Sequence, residues 1–274
     1  AAGITTITDG TAAGTLTLGA GHTNNTTIAL STGNDTVTAT NFTGALTVTA
    51  AVASIDANDT ITSGTGSDTL SITHDGSTLT AAELANVSGF DTLSVATNAT
   101  TGAITLADAN IAAGAALTVD ATNQTNTNFV FSAANETDGT VTVNRGASTG
   151  TATVTLGNNN DTYTSTSTGV DTVTATAGDN TITTGGGADA ITLGTGTDTV
   201  TAGAGDDTIT VASASFASSD TITGGAGTDT LTISDAGTHI DTDFTNTRTV
   251  ETISFGNNAT TLTLGSNATT AGIV

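Results

Sequence analysis

Between Thr166 and Thr210 the chain repeats itself every nine residues. The units read TSTGVDTVT (166–174), ATAGDNTIT (175–183), TGGGADAIT (184–192), LGTGTDTVT (193–201) and AGAGDDTIT (202–210). The sixth place of each holds Asp171, Asn180, Asp189, Asp198 or Asp207, and an Ile or Val follows two residues later. A lone aliphatic between two Thr or Ala residues suits a three-residue strand with one side chain turned inward. The Gly-rich remainder suits a turn. Such a unit buries almost nothing alone, so it must be stacked on copies of itself.

The register survives an interruption. Residues 211–214 (VASA) read as a four-residue insertion, after which 215–223 and 224–232 resume with Asp220 and Asp229. Upstream, LGNNNDTYT (156–164) supplies Asp161 in a degraded unit, followed by one extra residue, Ser165. Further back, 54–62 and 63–71 supply Asp59 and Asp68, and an isolated unit at 30–38 supplies Asp35.

These units match the pattern G-G-x-G-x-D-x-U-x, with U a large aliphatic, and so the chain resembles the repeats-in-toxin (RTX) family. The resemblance implies an all-β fold, a right-handed parallel β-roll or β-solenoid with calcium-bound nonapeptide turns. It implies two nonapeptides per coil, U pointing into the core, and calcium held between stacked turns by Asp carboxylates and turn carbonyls. Calcium takes six to eight oxygens, more than one turn supplies. Cooperating acids are then expected 18 residues apart, with Asp171, Asp189 and Asp207 on one side and Asn180 with Asp198 on the other. The steps from 198 to 220 and from 207 to 229 are both 22, as one four-residue bulge requires. The expected metal ligands are Asp171, Asn180, Asp189, Asp198, Asp207, Asp220, Asp229, Asp59, Asp68, Asp161 and Asp35. The alternative for each is a turn-capping carboxylate without metal. Asp179 and Asp206, at the fifth position, are expected to face solvent.

Composition agrees with a thin, metal-dependent stack. Only two residues are basic against 25 acidic ones, giving a formal charge of −23. All but three of the acids are Asp, which points to short carboxylates working at turns rather than to general solubility. Aromatics are 3% of the chain, too few for a wide globular core. So acidic a surface excludes nucleic-acid binding, and no apolar run reaches the length of a membrane span. Nothing resembles a nucleophile elbow, a zinc-protease motif or a Cys–His pair, so no enzymatic activity is expected. His22, His74 and His239 read as surface turn residues. The Thr-x-Thr pairs read as ordinary outward strand residues, not as an ice-binding face.

A longer repeat overlies the short one. SIDANDTITSGTGSDTLSI (54–72) aligns without a gap on SFASSDTITGGAGTDTLTI (215–233). The likeness continues, one residue shorter, into a [DE]-T-[LI]-S strand and an N-A-T-T turn. Such cassettes resemble those of bacterial surface-layer proteins of the RTX type. We read residues 1–274 as a single elongated solenoid, with calcium cassettes at about 30–101 and 194–262. Coils at about 102–155 lack the acid and read as metal-poor. A short helix is expected near 80–87.

The function expected from these features is an extracellular structural protein, a calcium-dependent, self-assembling surface-layer subunit or filament. The alternatives are the repeat stalk of a secreted RTX adhesin, ice- or glycan-binding, or the calcium-binding accessory region of a secreted enzyme or toxin. Expected partners are other copies of the chain and a cell-surface glycan or lipopolysaccharide. The expected location is secreted, at the bacterial cell surface. The uncapped termini, AAGITTIT and ATTAGIV, suggest end-to-end stacking or an excerpt of something longer.

Overall fold

A computed structural model describes residues 4–10, 12–74, 76–96, 102–124, 128–256 and 261–273. The N-A-T-T turns expected at 98–101 and 258–261 fall outside these residues, except for Thr261. The chain divides into two compact units, residues 1–144 and 145–274. Each is an all-parallel β-solenoid of short strands joined by turns.

In the second unit, Ala152–Thr155, Asp171–Ala177, Ala190–Thr195, Thr208–Val211, Thr230–Ile233 and Thr252–Phe255 stack in that order. A second sheet stacks Thr162–Ser165, Thr181–Thr183, Thr199–Ala204, Thr221–Ala226 and Thr247–Arg248. Thr172 pairs with Ala190 and Ala190 with Thr208, so one coil is two nonapeptides. Inward residues form unbroken columns: Val173, Ile191, Ile209 and Leu231 in one sheet, and Tyr163, Ile182, Val200 and Ile222 in the other, all buried. The flanking Thr residues face outward, where β-branched side chains pack well along a pleated surface.

The four-residue insertion behaves as its length requires. Thr199 pairs with Thr221 and Thr208 with Thr230, so both sheets advance by the same amount. The added residues make a turn in which Ser215 and Phe216 donate to the carbonyl of Ala212. Phe216 is buried there against Phe244, with ring centroids 5.3 Å apart.

In the first unit, Thr6–Thr8, Thr26–Ala29, Leu46–Ala51, Thr69–Thr73, Thr92–Ala96, Ala116–Ala121 and Thr140–Arg145 form one sheet. Thr15–Thr17, Thr36–Thr38, Thr60–Thr62 and Val87–Ser88 form another, and Ala103–Thr105 pairs with Phe129–Ser132. Coils here are longer than 18 residues: Thr47 pairs with Thr69, Thr36 with Thr60 and Thr92 with Thr118. The 18-residue coil therefore belongs to the uninterrupted nonapeptides alone.

The duplicated cassettes share their pairing as well as their sequence. Ile61 pairs with Val87 and Leu70 with Leu93, while Ile222 pairs with Thr247 and Leu231 with Ile253. Asn86 donates its amide to the carbonyl of Ala57, and Asn246 does the same to Ser218.

The expected helix at 80–87 is absent. Glu83 instead accepts the N–H and hydroxyl of Thr80, and the segment forms turns that end in the strand Val87–Ser88. One short α-helix occurs elsewhere among the described residues, Ser266–Ala271, held at its start by Asp241, which accepts N–H groups from Gly265, Asn267 and Ala268.

Candidate metal centre

The sixth-position residues of the repeats are buried polar groups. Asp189, Asp198, Asp207, Asp220 and Asp229 are at most 3% exposed. Their neighbours at the fifth position, Asp179 and Asp206, face solvent as expected. The difference arises because the sixth residue opens the strand, where its side chain turns inward with every second residue.

Along one flank the carboxylates form a continuous ladder. Oδ1 of Asp189 accepts the N–H of Asp171 at 2.7 Å, Oδ1 of Asp207 that of Asp189 at 2.8 Å, and Oδ1 of Asp229 that of Asp207 at 2.9 Å. The carbonyls run the opposite way, Asp189 accepting from Thr208 and Asp207 from Thr230. Each Asp thus ties its coil to both neighbours. The other flank repeats the arrangement through Asp161, Asn180, Asp198 and Asp220. Asp189 and Asp207 share a flank, as the 18-residue spacing demands.

Two ladder members escaped the sequence reading. Glu251 accepts the N–H of Asp229 at 2.8 Å, and Asp91 accepts that of Asp68 at 2.7 Å. Both are the acid of the [DE]-T-[LI]-S strand. Their offset from the preceding Asp, set against the pairing of the cassettes, is the signal that would have identified them.

What separates the candidates is the second oxygen. Oδ2 of Asp189, Asp207 and Asp229 is buried and takes no hydrogen bond. A buried carboxylate oxygen without a donor is costly unless a cation meets it. By contrast, Oδ2 of Asp59 accepts the N–H of Asp56, that of Asp68 accepts Gly64, and that of Asp220 accepts Ala217. Their Oδ1 atoms accept from Asp35, Leu46 and Asp198. These three close their own turns while tying coils together. Asp161 likewise accepts the N–H of Gly157 through Oδ2. Asp35 is 2% exposed and accepts the N–H of Gly14 through Oδ1, while its Oδ2, like those of Asp189, Asp207 and Asp229, is buried and takes no hydrogen bond.

At Asp171 and Asn180 the protein supplies partners of its own. The Arg145 guanidinium sits on Oδ1 of Asp171, and the Tyr163 hydroxyl donates to Oδ2 at 3.0 Å. A protein cation thus stands at the first rung where the repeat implies a metal. Asn180 turns its amide NH2 to the carbonyls of Ala177 and Gly178, at 3.1 and 2.9 Å. Its neutral donors satisfy a turn that a carboxylate could not satisfy without an ion. Arg145→Met is expected to destabilise the second unit by about 3–5 kcal/mol, because Asp171 would be left charged and buried. Adding Asp171→Asn should recover most of that loss in a chemical melt.

Charge repulsion runs along the ladder. Burial lifts the Asp189 carboxyl to about 6 against the pull of the Asp171 N–H and the Thr184 side chain, and the charges of Asp171 and Asp207 add to the rise. Burial likewise raises Asp198, Asp207, Asp220 and Asp229, each opposed by a backbone N–H. Burial also lifts Asp35 to about 6, with the neighbouring Asp9 adding to the effect.

The turns would provide the remaining oxygens. Gly205 has φ +133°, and a Cβ there would lie 1.8 Å from the carbonyl oxygen of Gly187 in the preceding coil. Only glycine permits both the backbone angle and the close stacking of turn carbonyls. Hard oxygen donors, buried and mutually repelling, fit calcium and no softer metal. Asp189, Asp207 and Asp229 would hold it on one flank with turn carbonyls, and Asp161, Asp198 and Asp220 are the acids of the other. When bound, the ion supplies the positive charge that the ladder lacks.

Comparison with known families supports this chemistry. Residues 56–71, 165–200, 192–212 and 217–232 match the RTX calcium-binding nonapeptide repeat, in four copies. These segments take in the expected ligands other than Asp35 and Asp161. The chain carries calcium-binding RTX repeats, and together with the parallel solenoid they fit an RTX-type β-roll protein. No curated protein and no solved structure matches the chain. RTX repeat proteins are typically secreted. Among the described residues, no helix is long and apolar enough to cross a membrane.

Proposed function

We propose that this secreted calcium-binding repeat protein is a structural element of the cell exterior, a surface-layer subunit or filament that assembles with copies of itself when calcium is present. The observation that carries the reading is the run of unpartnered, buried carboxylate oxygens at Asp189, Asp207 and Asp229. A fold built on such a run depends on millimolar calcium, which the outside of a cell provides and its interior does not. Ions that bind only the native coils stabilise them by mass action.

Two further features support assembly. The exposed acids, Asp179 and Asp206 among them, leave the surface strongly anionic with a formal charge of −23. Copies would repel one another until divalent cations screen or bridge them. Among the described residues, exposed large apolar side chains are few, Ile4, Val170, Ile240 and Leu264, so apolar burial alone would not drive association. In this reading the chain carries no catalytic step.

Electron microscopy of the purified chain with calcium and with chelator tests the proposal. Sheets or filaments are expected with calcium and dispersed particles with chelator. Dispersed particles in both conditions would overturn assembly. Monodisperse particles that bind a glycan would favour the adhesin stalk.

A further inference from the structure

We infer that the first unit holds one more calcium ion at a site outside the nonapeptide pattern, formed by Glu136, Asp108 and Asp138. This is the stretch whose coils read as metal-poor, because no unit there places an acid at the sixth position. The fold supplies one by another route. The strand Phe129–Ser132 runs into a tight turn, closed by the N–H of Glu136 on the carbonyl of Ala133 at 2.8 Å. The 3-10 segment Asp108–Asn110 lies against that turn, since Oδ1 of Asp108 accepts the N–H and the hydroxyl of Thr137, at 3.0 and 2.8 Å.

Glu136 makes this cluster more than three neighbouring acids. Its side chain is 0% exposed. Oε1 accepts the N–H groups of Asp138 and Gly139, at 3.1 and 2.7 Å. Oε2 is buried and takes no hydrogen bond. One carboxylate oxygen from each of Glu136, Asp108 and Asp138 lies within 4.8 Å of the others. Burying one carboxylate with an orphaned oxygen beside two others is unfavourable unless a cation joins them.

Among the described residues, neither arginine is placed to supply the charge. The chain's two basic residues are Arg145 and Arg248. Arg145 is committed to Asp171 and the Gly150 carbonyl, and Arg248 to the carbonyls of Thr245 and Thr247. Three carboxylates with no nitrogen or sulfur donor suit a hard divalent ion. Asp108 and Asp138 are exposed, which leaves the open side to water. Calcium tolerates such an irregular, partly hydrated shell, whereas magnesium demands near-octahedral geometry. The ion would pin the 108–110 segment to the 133–139 turn, as the ladder ions pin coil to coil.

The test uses the full chain and calcium alone as the probe. Native mass spectrometry across a calcium titration should show Asp138→Asn and Glu136→Gln binding one ion fewer than the parent at a free calcium that fills the parent. Affinity at that site should fall at least tenfold. Asp138 is exposed, so its variant keeps the fold even if the Glu136 variant does not. An unchanged count and affinity in Asp138→Asn would overturn the inference. Crystals grown in calcium provide a second reading that needs no variant. An anomalous peak bonded to Glu136 and both aspartates supports the site, whereas a water or nothing at Oε2 refutes it. Peaks on the nonapeptide turns report separately on the ladder, so either site can fail without the other.

Discussion

Asp189→Asn combined with Asp207→Asn should act in opposite directions in the two states of the protein. With calcium, the midpoint for ordering the second unit should move at least tenfold higher, because two charged ligands on one flank become neutral. In chelator at pH 7.5 the same variant should be the more ordered of the two. Each substitution removes a buried charge whose folded form is disfavoured, while the amide oxygen can still accept the N–H of the coil before. The native chain already contains this change at Asn180, whose amide is satisfied by the carbonyls of Ala177 and Gly178. The exposed control, Asp206→Asn, should change stability by less than about 0.5 kcal/mol. Calcium titrations followed by circular dichroism measure all three. A double variant that lost order equally in both conditions would show that the ladder is only a set of turn caps.

Acid should partly replace calcium. The Asp189 carboxyl is raised from 3.8 to about 6, and those of Asp198, Asp207, Asp220 and Asp229 are raised by burial. A folded state that binds protons more tightly than the unfolded one gains stability as pH falls. Asp189's contribution is complete below about pH 3.8 and is lost as pH rises through about 6. After allowance for solvent screening it amounts to roughly 2 kcal/mol. In chelator, β-structure should therefore grow as pH drops from 7.5 to 5. With calcium present the trend reverses, because protons compete with the ion and calcium affinity falls below about pH 6. A metal-free protein whose structure did not respond to pH in this window would contradict the burial of the ladder.

Much of this was legible in the sequence because the period fixes the geometry. An Asp every nine residues with an aliphatic two places later sets strand, turn and inward column together. The 22-residue step across 211–214 further implies that both flanks realign. In the metal-poor coils, the strands Ala103–Thr105, Ala116–Ala121, Phe129–Ser132, Thr140–Arg145 and Ala152–Thr155 coincide with short β-branched or aromatic runs between turn residues.

What the sequence hid was the partner of each oxygen. Asp59, Asp220 and Asp189 occupy the same motif position, yet the N–H of Asp56 or Ala217 closes the first two turns, whereas Oδ2 of Asp189 is left without a donor. That difference lies in the local turn, not in the pattern. Arg145 was invisible as a ladder member because it stands 26 residues from Asp171. Glu136 was missed because its turn has no nonapeptide register at all. The helix expected at 80–87 failed because Thr80 and Glu83 close a local turn and Val87 joins a sheet, so tertiary pairing outweighed helical propensity.

The most direct measurement is the far-UV circular dichroism and thermal midpoint of the full chain at pH 7.5, first in excess calcium, then after chelation, then after calcium is restored. The account predicts a β-rich spectrum that collapses on chelation and returns in full. An identical spectrum and midpoint in all three samples would mean that the stacked carboxylates tolerate one another without a metal, and the account would be wrong.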